Sequence, residues 1–385
     1  MEVKMLQKVK VVCTDDLGGT LLEILNAEGY RRPLFVTDSF VATMPLVVAA
    51  RRKLADDGID CAVFDEVRPD PLCETVAAGV EAFRAHEADS IIAIGGGSSM
   101  DVARGVNIVR VNGGEIIDYT DPNVPIADCP GMIAVPTTSG TGSEVSNALV
   151  VTDGATQRKL AVLADPAVSE YAVLNPDLTI GLPPRMTIAS GLDAFCHAAE
   201  GYLSRMASPI TDAVCEKVMF LLYNYLPRAV RNGEDREARE RVMVAATLAG
   251  WMLNNAGTIA GHSIAHVLGS KYHIVHGEAV GYALPGVMEF VAPVMPHKVR
   301  EIGQILGAVY PENAPEEQTT VIAVRAFKEF RDRMLGLHPF EDYGIDRDEL
   351  LANAQAVAYE RFAGNTPRDI GPAEARQLLE AFGVR

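Results

Sequence analysis

The sequence is short of basic side chains. Lysine and arginine total 34 against 51 aspartates and glutamates, a formal net charge of −17. A surface that acidic repels phosphate backbones and anionic lipid, so neither nucleic acid nor a membrane is expected as a partner. No run of about 18 apolar residues occurs, so no membrane span is expected. The N-terminal MEVKMLQKVKVV lacks a basic region followed by a long apolar stretch, so no signal peptide is expected. The six cysteines, Cys13, Cys61, Cys73, Cys129, Cys196 and Cys215, form no CxxC pair and no regular spacing. That excludes a spaced thiolate motif and reads as reduced thiols in a cytoplasmic protein. Internal repeats and low-complexity tracts are absent as well.

What is present suits two domains: 385 residues with 48% hydrophobic side chains can bury sizeable cores. The first half alternates strands and helices. RPLFVTD reads as a strand ending at Asp38, CAVFDEV (61–67) as a second, and SIIAIGGG and GMIAVPTT as two more. Helices are expected over about 44–57 and 72–87. This alternation implies a parallel α/β sheet. After GLPP (181–184) nearly everything reads as helix: 186–204, 209–225, 236–254, 258–270, 297–307, 317–336, 347–361 and 373–382. The expected division is therefore an α/β domain over 1–184 and an all-helical domain over 185–385.

Two small-residue turns follow strands. In the first, Gly95-Gly96-Gly97-Ser98-Ser99-Met100-Asp101 leads into a helix expected from about Val102. Glycines let a ligand approach the backbone, and a helix N-terminus offers free N–H groups to a pyrophosphate. The turn lacks the G-x-G-x-x-G spacing, and a ligand-free strand-to-helix turn explains it equally well. The second turn, Thr137-Thr138-Ser139-Gly140-Thr141-Gly142-Ser143-Glu144, offers many small donors; alone it could be a solvated loop. Two such turns at strand C-termini favour a nucleotide, since ligands of open α/β sheets bind at that edge. Asp38 also closes a strand there. Its carboxylate can accept from the adenosine ribose hydroxyls and repel a 2′-phosphate, or it can simply cap the next helix.

The helix ASGLDAFCHAAEGYL sets Asp193 and His197 four residues apart, on one face. GTIAGHSIAHVLG does the same for His262 and His266, and His276 is expected in the loop that follows. A lone pair of this kind is usually a hydrogen bond, but charged and imidazole groups on Ala/Leu/Ile-rich helices need a reason to be there. HSIAH has Ser263 where a zincin motif has glutamate, which argues against that class. One carboxylate with several imidazoles suits Fe(II), Zn(II) or Mn(II). Cys196 points elsewhere on the helix, into the core.

GGGSSMDVA, VPTTSGTGSEV, LNPDLTIGLPP, ASGLDAFCHAAEGYLS and GHSIAHVLG…HGEAVGYALP together resemble the iron-containing (group III) alcohol dehydrogenase family, nearly end to end. The resemblance implies an N-terminal nucleotide-binding α/β domain and a helical metal-binding domain, the dehydroquinate synthase-like fold. It implies Asp193, His197, His262 and His276 as ligands of Fe(II), with Zn(II) or Mn(II) as alternatives, and His266 as a proton-moving group near the substrate. Gly95, Gly96, Gly97, Ser98 and Asp101 would line the phosphates and ribose of NAD. Thr137, Thr138 and Thr141 would contact the nucleotide, and Asp38, Asp70, Val150 and Lys159 match further cofactor positions. Two departures, Ser99 where proline is frequent and Asn175 where aspartate is usual, remove no ligand.

The implied activity is NAD(H)-dependent oxidation of a small alcohol or reduction of an aldehyde, by a homodimer or larger homo-oligomer. The metal would act as Lewis acid and the nicotinamide would carry the hydride. Three other readings stand beside it. A carbon–oxygen lyase of the dehydroquinate-synthase type would need a basic pocket, and the motifs cluster no Lys or Arg. A maleylacetate-reductase-like enzyme would generally lack the full metal set. A non-enzymatic NAD-binding protein would reduce no NAD.

Overall fold

A computed structural model describes residues 5–384 apart from residues 7 and 157. The chain forms two compact units. Leu6–Thr138 with Gly142–Thr179 make one, and Ser139–Thr141 pack with Ile180–Arg385 in the other.

The first unit runs β1 (Lys10–Cys13), α1 (Leu17–Glu28), β2 (Pro33–Val36), α2 (Pro45–Asp56), β3 (Ala62–Phe64), α3 (Cys73–Ala85), β4 (Ser90–Gly95), α4 (Gly97–Asn112) and β5 (Met132–Pro136). A hairpin, β6 (Ala148–Asp153) and β7 (Arg158–Leu163), follows, and then β8 (Tyr171–Leu174). Six strands form one sheet in the order β1-β8-β5-β4-β2-β3, every pair parallel. The central strands β4 and β5 are buried throughout, as continuous apolar runs in a two-faced parallel sheet should be. Their side chains alternate between two cores, Ile91, Ala93, Met132 and Ala134 on one face and Ile92, Ile94, Ile133 and Val135 on the other. The chain winds outward from β2 to β3 and the opposite way from β4 to β5 and β8. The strand order therefore switches between β2 and β4, and their C-terminal ends flank the crevice where such sheets bind ligands.

The second unit is helical: α5 (Pro184–Tyr202), α6 (Pro209–Arg231), α7 (Arg236–Ala256), α8 (Ala260–Tyr272), α9 (His276–Val291), α10 (Pro296–Ile305), α11 (Glu316–Lys328), α12 (Arg347–Leu351), α13 (Ala354–Ala358) and α14 (Pro372–Ala381). No helix among the described residues is long and apolar enough to cross a membrane. Helix α5 starts with Pro184 in its first turn, where the missing N–H costs nothing. Two glycines let its neighbours approach closely. A side chain at Gly191 would overlap Leu226 of α6, and one at Gly201 would overlap the Met252 sulfur of α7. Residues 180–183 group with the helices; buried Arg239 of α7 holds the Leu182 carbonyl at 3.2 Å and the Thr187 hydroxyl at 2.9 Å.

Several elements differ from the sequence expectations. Helix α4 begins at Gly97, not near Val102, because Gly96 enters it directly as an extended N-cap. His276 opens helix α9 and does not lie in a loop. The helix expected over 317–336 loosens into a π-turn at residues 329–334, and 347–361 breaks into α12 and α13. Strand β2 has a predecessor, β1, and stops at Val36, ahead of Asp38.

Candidate functional site

In the sheet unit, Asp38 follows β2 and the glycine turn follows β4. The Asp38 Oδ1 accepts the N–H groups of Phe40 and Val41, each at 2.9 Å, so this carboxylate does cap the short turn after it. Its other oxygen stays toward the glycine turn; a Cβ built on Gly95 would stand 3.9 Å from Oδ2 and would collide with the Ser99 hydroxyl. Glycine is therefore required at 95 by close approach. A Cβ on Gly96 would meet the Thr138 side chain at 3.4 Å, which places the two turns side by side. Gly97, Ser98 and Asp101 occupy the first turns of α4, with its free N–H groups.

Asp101, Val150 and Lys159 come together. Burial outweighs the pull of Arg104, the Val150 N–H and Lys159 and leaves the Asp101 carboxyl pushed up to about 7. Lys159 Nζ lies 2.6 Å from Asp70 Oδ1, and Asp70 itself takes a left-handed φ of 53°. Buried Arg104 donates to the carbonyls of Ser143 (2.6 Å), Ala148 (2.5 Å) and Ala167 (3.2 Å), so α4, the β6–β7 hairpin and the segments on either side of it are clamped together. Of the second turn, Thr137 and Thr138 belong to the sheet unit. Thr141 groups with the helical unit, where Gly140 lies so close to α5 that a Cβ would stand 2.7 Å from the Ser190 carbonyl oxygen.

In the helical unit, α5, α8 and α9 converge. The Asp193 Oδ1 lies 3.5 Å from His197 Nε2, 3.8 Å from His262 Nε2 and 3.4 Å from His276 Nε2. The ligand atoms of Asp193, His262 and His276 all fall within 4.8 Å of one another. His197 stands beside them, its ring stacked on His262 at 4.7 Å. Desolvation by the surrounding protein and repulsion from the neighbouring imidazoles pull the pKa values down, to about 4 for His197 and about 3 for His276, so both stay neutral and keep a lone pair. Burial would push Asp193 up, but the three histidines hold it below the usual carboxylate range. His262 goes the other way: burial lowers it, yet Glu200 and Asp193 outweigh that and push it up to about 10. Two carboxylates thus demand positive charge at this point.

Glu200 was not singled out from the sequence. It is wholly buried on α5, with Oε1 at 2.8 Å from His262 Nδ1 and Oε2 accepting the N–H groups of Ile259 (2.8 Å) and His262 (3.2 Å). A carboxylate on Nδ1 fixes the ring so that Nε2 is offered as a ligand. The available signal was a glutamate in the alanine-rich run HAAEG, a charge with no place on a buried helix unless paired. Glu278 is a second buried acid. It takes Arg185 Nε at 2.8 Å, His338 Nε2 at 2.7 Å and the Tyr343 hydroxyl at 2.5 Å, and so anchors the first turn of α9 beside His276.

The residues fit a metal. Asp193 Oδ1 and His262 Nε2 are buried with no hydrogen-bond partner, an arrangement that is costly unless something else satisfies it, and His197 turns its Nε2 toward the same oxygen. The donors are one carboxylate and imidazoles, suited to Fe(II) or Zn(II). The cluster also has an open side: the side chains of Asp193, His197 and His262 are 4–6% exposed, against 41% for His276 and 32% for His266. Catalytic metal sites keep such an approach, whereas structural ones close it.

A strand-order switch edged by small-residue turns, of the kind at which α/β sheets bind nucleotides, and an open cluster of metal-ligand groups suit a dehydrogenase that uses both. Residues 9–176 match the model of the iron-containing alcohol dehydrogenases, and residues 187–383 match that of the Fe-containing alcohol dehydrogenase family, C-terminal. The NAD-dependent methanol dehydrogenase of Bacillus methanolicus is 37% identical over 355 residues, 91% of this chain and 92% of that protein. The lactaldehyde reductase of Escherichia coli K12 is 31% identical over 374 residues, 94% of each chain. A crystal structure of 1,3-propanediol oxidoreductase superposes with a TM-score of 0.91 at 28% identity, covering 98% of this chain and 100% of that one. The chain belongs to the iron-containing alcohol dehydrogenase family. It is an NAD-dependent enzyme that interconverts alcohols and aldehydes.

Proposed function

We propose that the enzyme acts on a small alcohol or aldehyde and that its iron is held by Asp193, His197, His262 and His276. The observation that carries this is the set of buried, unpartnered atoms Asp193 Oδ1 and His262 Nε2 beside the neutral His276. When bound, the iron supplies Lewis acidity toward the substrate oxygen and the dinucleotide supplies the hydride carrier. Glu200 orients His262. His266 takes or returns the hydroxyl proton at its Nε2, since its Nδ1 is engaged 3.0 Å from the Glu360 carboxylate. Gly95, Gly96, Gly97, Ser98 and Asp101 receive the phosphates and ribose of NAD, with Thr137, Thr138, Thr141, Asp70, Val150 and Lys159 as further contacts.

The working form we propose is a cytoplasmic homodimer or larger homo-oligomer, built from an α/β half and a helical half that divide near residue 184. The relatives named for methanol, lactaldehyde and 1,3-propanediol favour a short substrate. A panel of C1–C6 alcohols and aldehydes, assayed with NAD(H) and Fe(II) or Zn(II), tests the reading. Absence of metal-dependent NAD(H) turnover across the whole panel overturns it.

Cofactor choice rests on Asp38. A carboxylate facing the ribose meets a dianion in NADP. Like charges about 4 Å apart repel by roughly 4 kcal/mol at an effective dielectric of 20. If solvent leaves only about 1.4 kcal/mol of that, NAD is still preferred about tenfold. Because Asp38 also caps the turn, Asp38→Asn is the informative variant: the amide oxygen keeps the cap and the charge goes. Its ratio of kcat/KM for NAD over NADP is expected to fall about tenfold with an unchanged melting temperature. An unchanged ratio places the selectivity elsewhere.

A further inference from the structure

His262 and His266 lie one turn apart on α8, and each has its own carboxylate on Nδ1. For His262 that carboxylate is Glu200. For His266 it is Glu360, 94 residues further along the chain, with Oε1 at 3.0 Å from Nδ1. Glu360 is largely buried, with 17% of its side chain exposed. Its second oxygen accepts the Phe362 N–H at 2.8 Å and so caps the short helical turn at Arg361–Asn365. That turn brings the Phe362 ring to 5.4 Å from the His266 ring, tilted by 57°. The His276 ring stacks on His266, also at 5.4 Å, with an interplanar angle of 16°. The imidazole of His266 is thus held at one edge by Glu360 and flanked by two rings.

We infer that Glu360 is the positioning residue for proton transfer: it fixes the tautomer and orientation of His266. A carboxylate can only accept, so Nδ1 of His266 must carry the hydrogen. In the neutral ring the lone pair then sits on Nε2, ready to take a proton from the substrate hydroxyl, and the proton returns from Nε2 in the reverse direction. Glu360 does not take the proton; it holds the ring that does, as the third member of a nucleophile–base–orienter set does. Only a carboxylate serves both N–H groups. Glutamine would have to turn its NH2 toward either His266 Nδ1–H or Phe362 N–H. This inference rests on the proposed role of His266 in the same site.

The test is a double-mutant cycle on the metal-loaded enzyme with Glu360→Gln, His266→Ala and the combination. Glu360→Gln is expected to lower kcat about a hundredfold, in the range of general acid–base effects, while metal content and the Kd for NAD stay unchanged. The double variant is expected to be no slower than His266→Ala alone, because both act through one group. Glu360→Asp keeps two acceptor oxygens and should recover most of the rate. Additive losses, loss of metal, or an effect on KM alone would overturn the inference. A second readout needs no turnover. In Zn(II)-loaded protein labelled with 15N-histidine, His266 should show the Nδ1–H tautomer, and Glu360→Gln should shift the population toward Nε2–H. A ring that is Nε2–H in the wild type sinks the inference even if the enzyme is active. If the tautomer is as stated but His266→Ala turns over like wild type, the proposed role of His266 fails instead.

Discussion

Replacing His276 with alanine is expected to cost the enzyme both its metal and its turnover. His276 is one of three residues whose ligand atoms share a 4.8 Å cluster, and it stands on the open side of the site. Four-ligand zinc sites bind with about 10–16 kcal/mol, or roughly 3 kcal/mol per ligand, so one deletion weakens affinity more than about a hundredfold. Metal content after gel filtration and the rate of NAD reduction are the two measurements. Because alanine suits the first turn of α9, the fold should survive, and circular dichroism should be unchanged. A variant that keeps full metal and full rate removes His276 from the ligand set.

The neighbouring residue should give the largest loss of stability. A Cβ on Gly277 would run into the Ala189 carbonyl of α5 and stand 2.6 Å from its carbon. Both are backbone atoms of the helix that carries Asp193 and His197, so nothing flexible can move aside. Gly277→Ala is expected to destabilise the protein by about 3 kcal/mol or more, lowering Tm by roughly 4 °C or more, and to weaken metal binding by pushing His276 away from α5. Gly281→Ala is the control. One turn along the same helix, a Cβ there meets only the end of the Leu192 side chain, at 3.1 Å. Alanine also gains about 1 kcal/mol in helix propensity, so that variant should melt near wild type. Equal melting temperatures for the two variants would mean that α5 and α9 are not in contact at Gly277.

The layout of a parallel sheet followed by helices was legible because SIIAIG and MIAVP are unbroken apolar runs ending in small-residue turns, while the later stretches carry helical periodicity. Helix α9 was not legible. Gly277, Gly281, Pro285 and Gly286 interrupt its pattern, and the glycines serve packing: Gly277 against α5, Gly281 against Leu192, Gly286 against Ala381 of α14. The β6–β7 hairpin left a fainter trace, two alternating strands around Asp153 and Gly154, and strand β1 is too short and too exposed to announce itself. The histidines and Asp193 stood out as polar groups on apolar helices. Glu360 carried no such sign, because its partner is reached only through the tertiary fold.

Helix α5 has little surface left to vary. One side presents Asp193 and His197, Glu200 reaches across to α8, and the notches at Gly191 and Gly201 receive α6 and α7. Substitutions along it therefore alter metal, support and packing together, and few will be neutral. Mutational drift, and any engineering for solubility, has more room at the periphery. Val309 and Val321, apolar and 87% and 61% exposed, are places where a polar residue should cost nothing in the core. The enzyme would then evolve as a fixed axle with interchangeable outer parts, and new substrate preferences would be reached by changing what surrounds α5 while α5 itself stays constant.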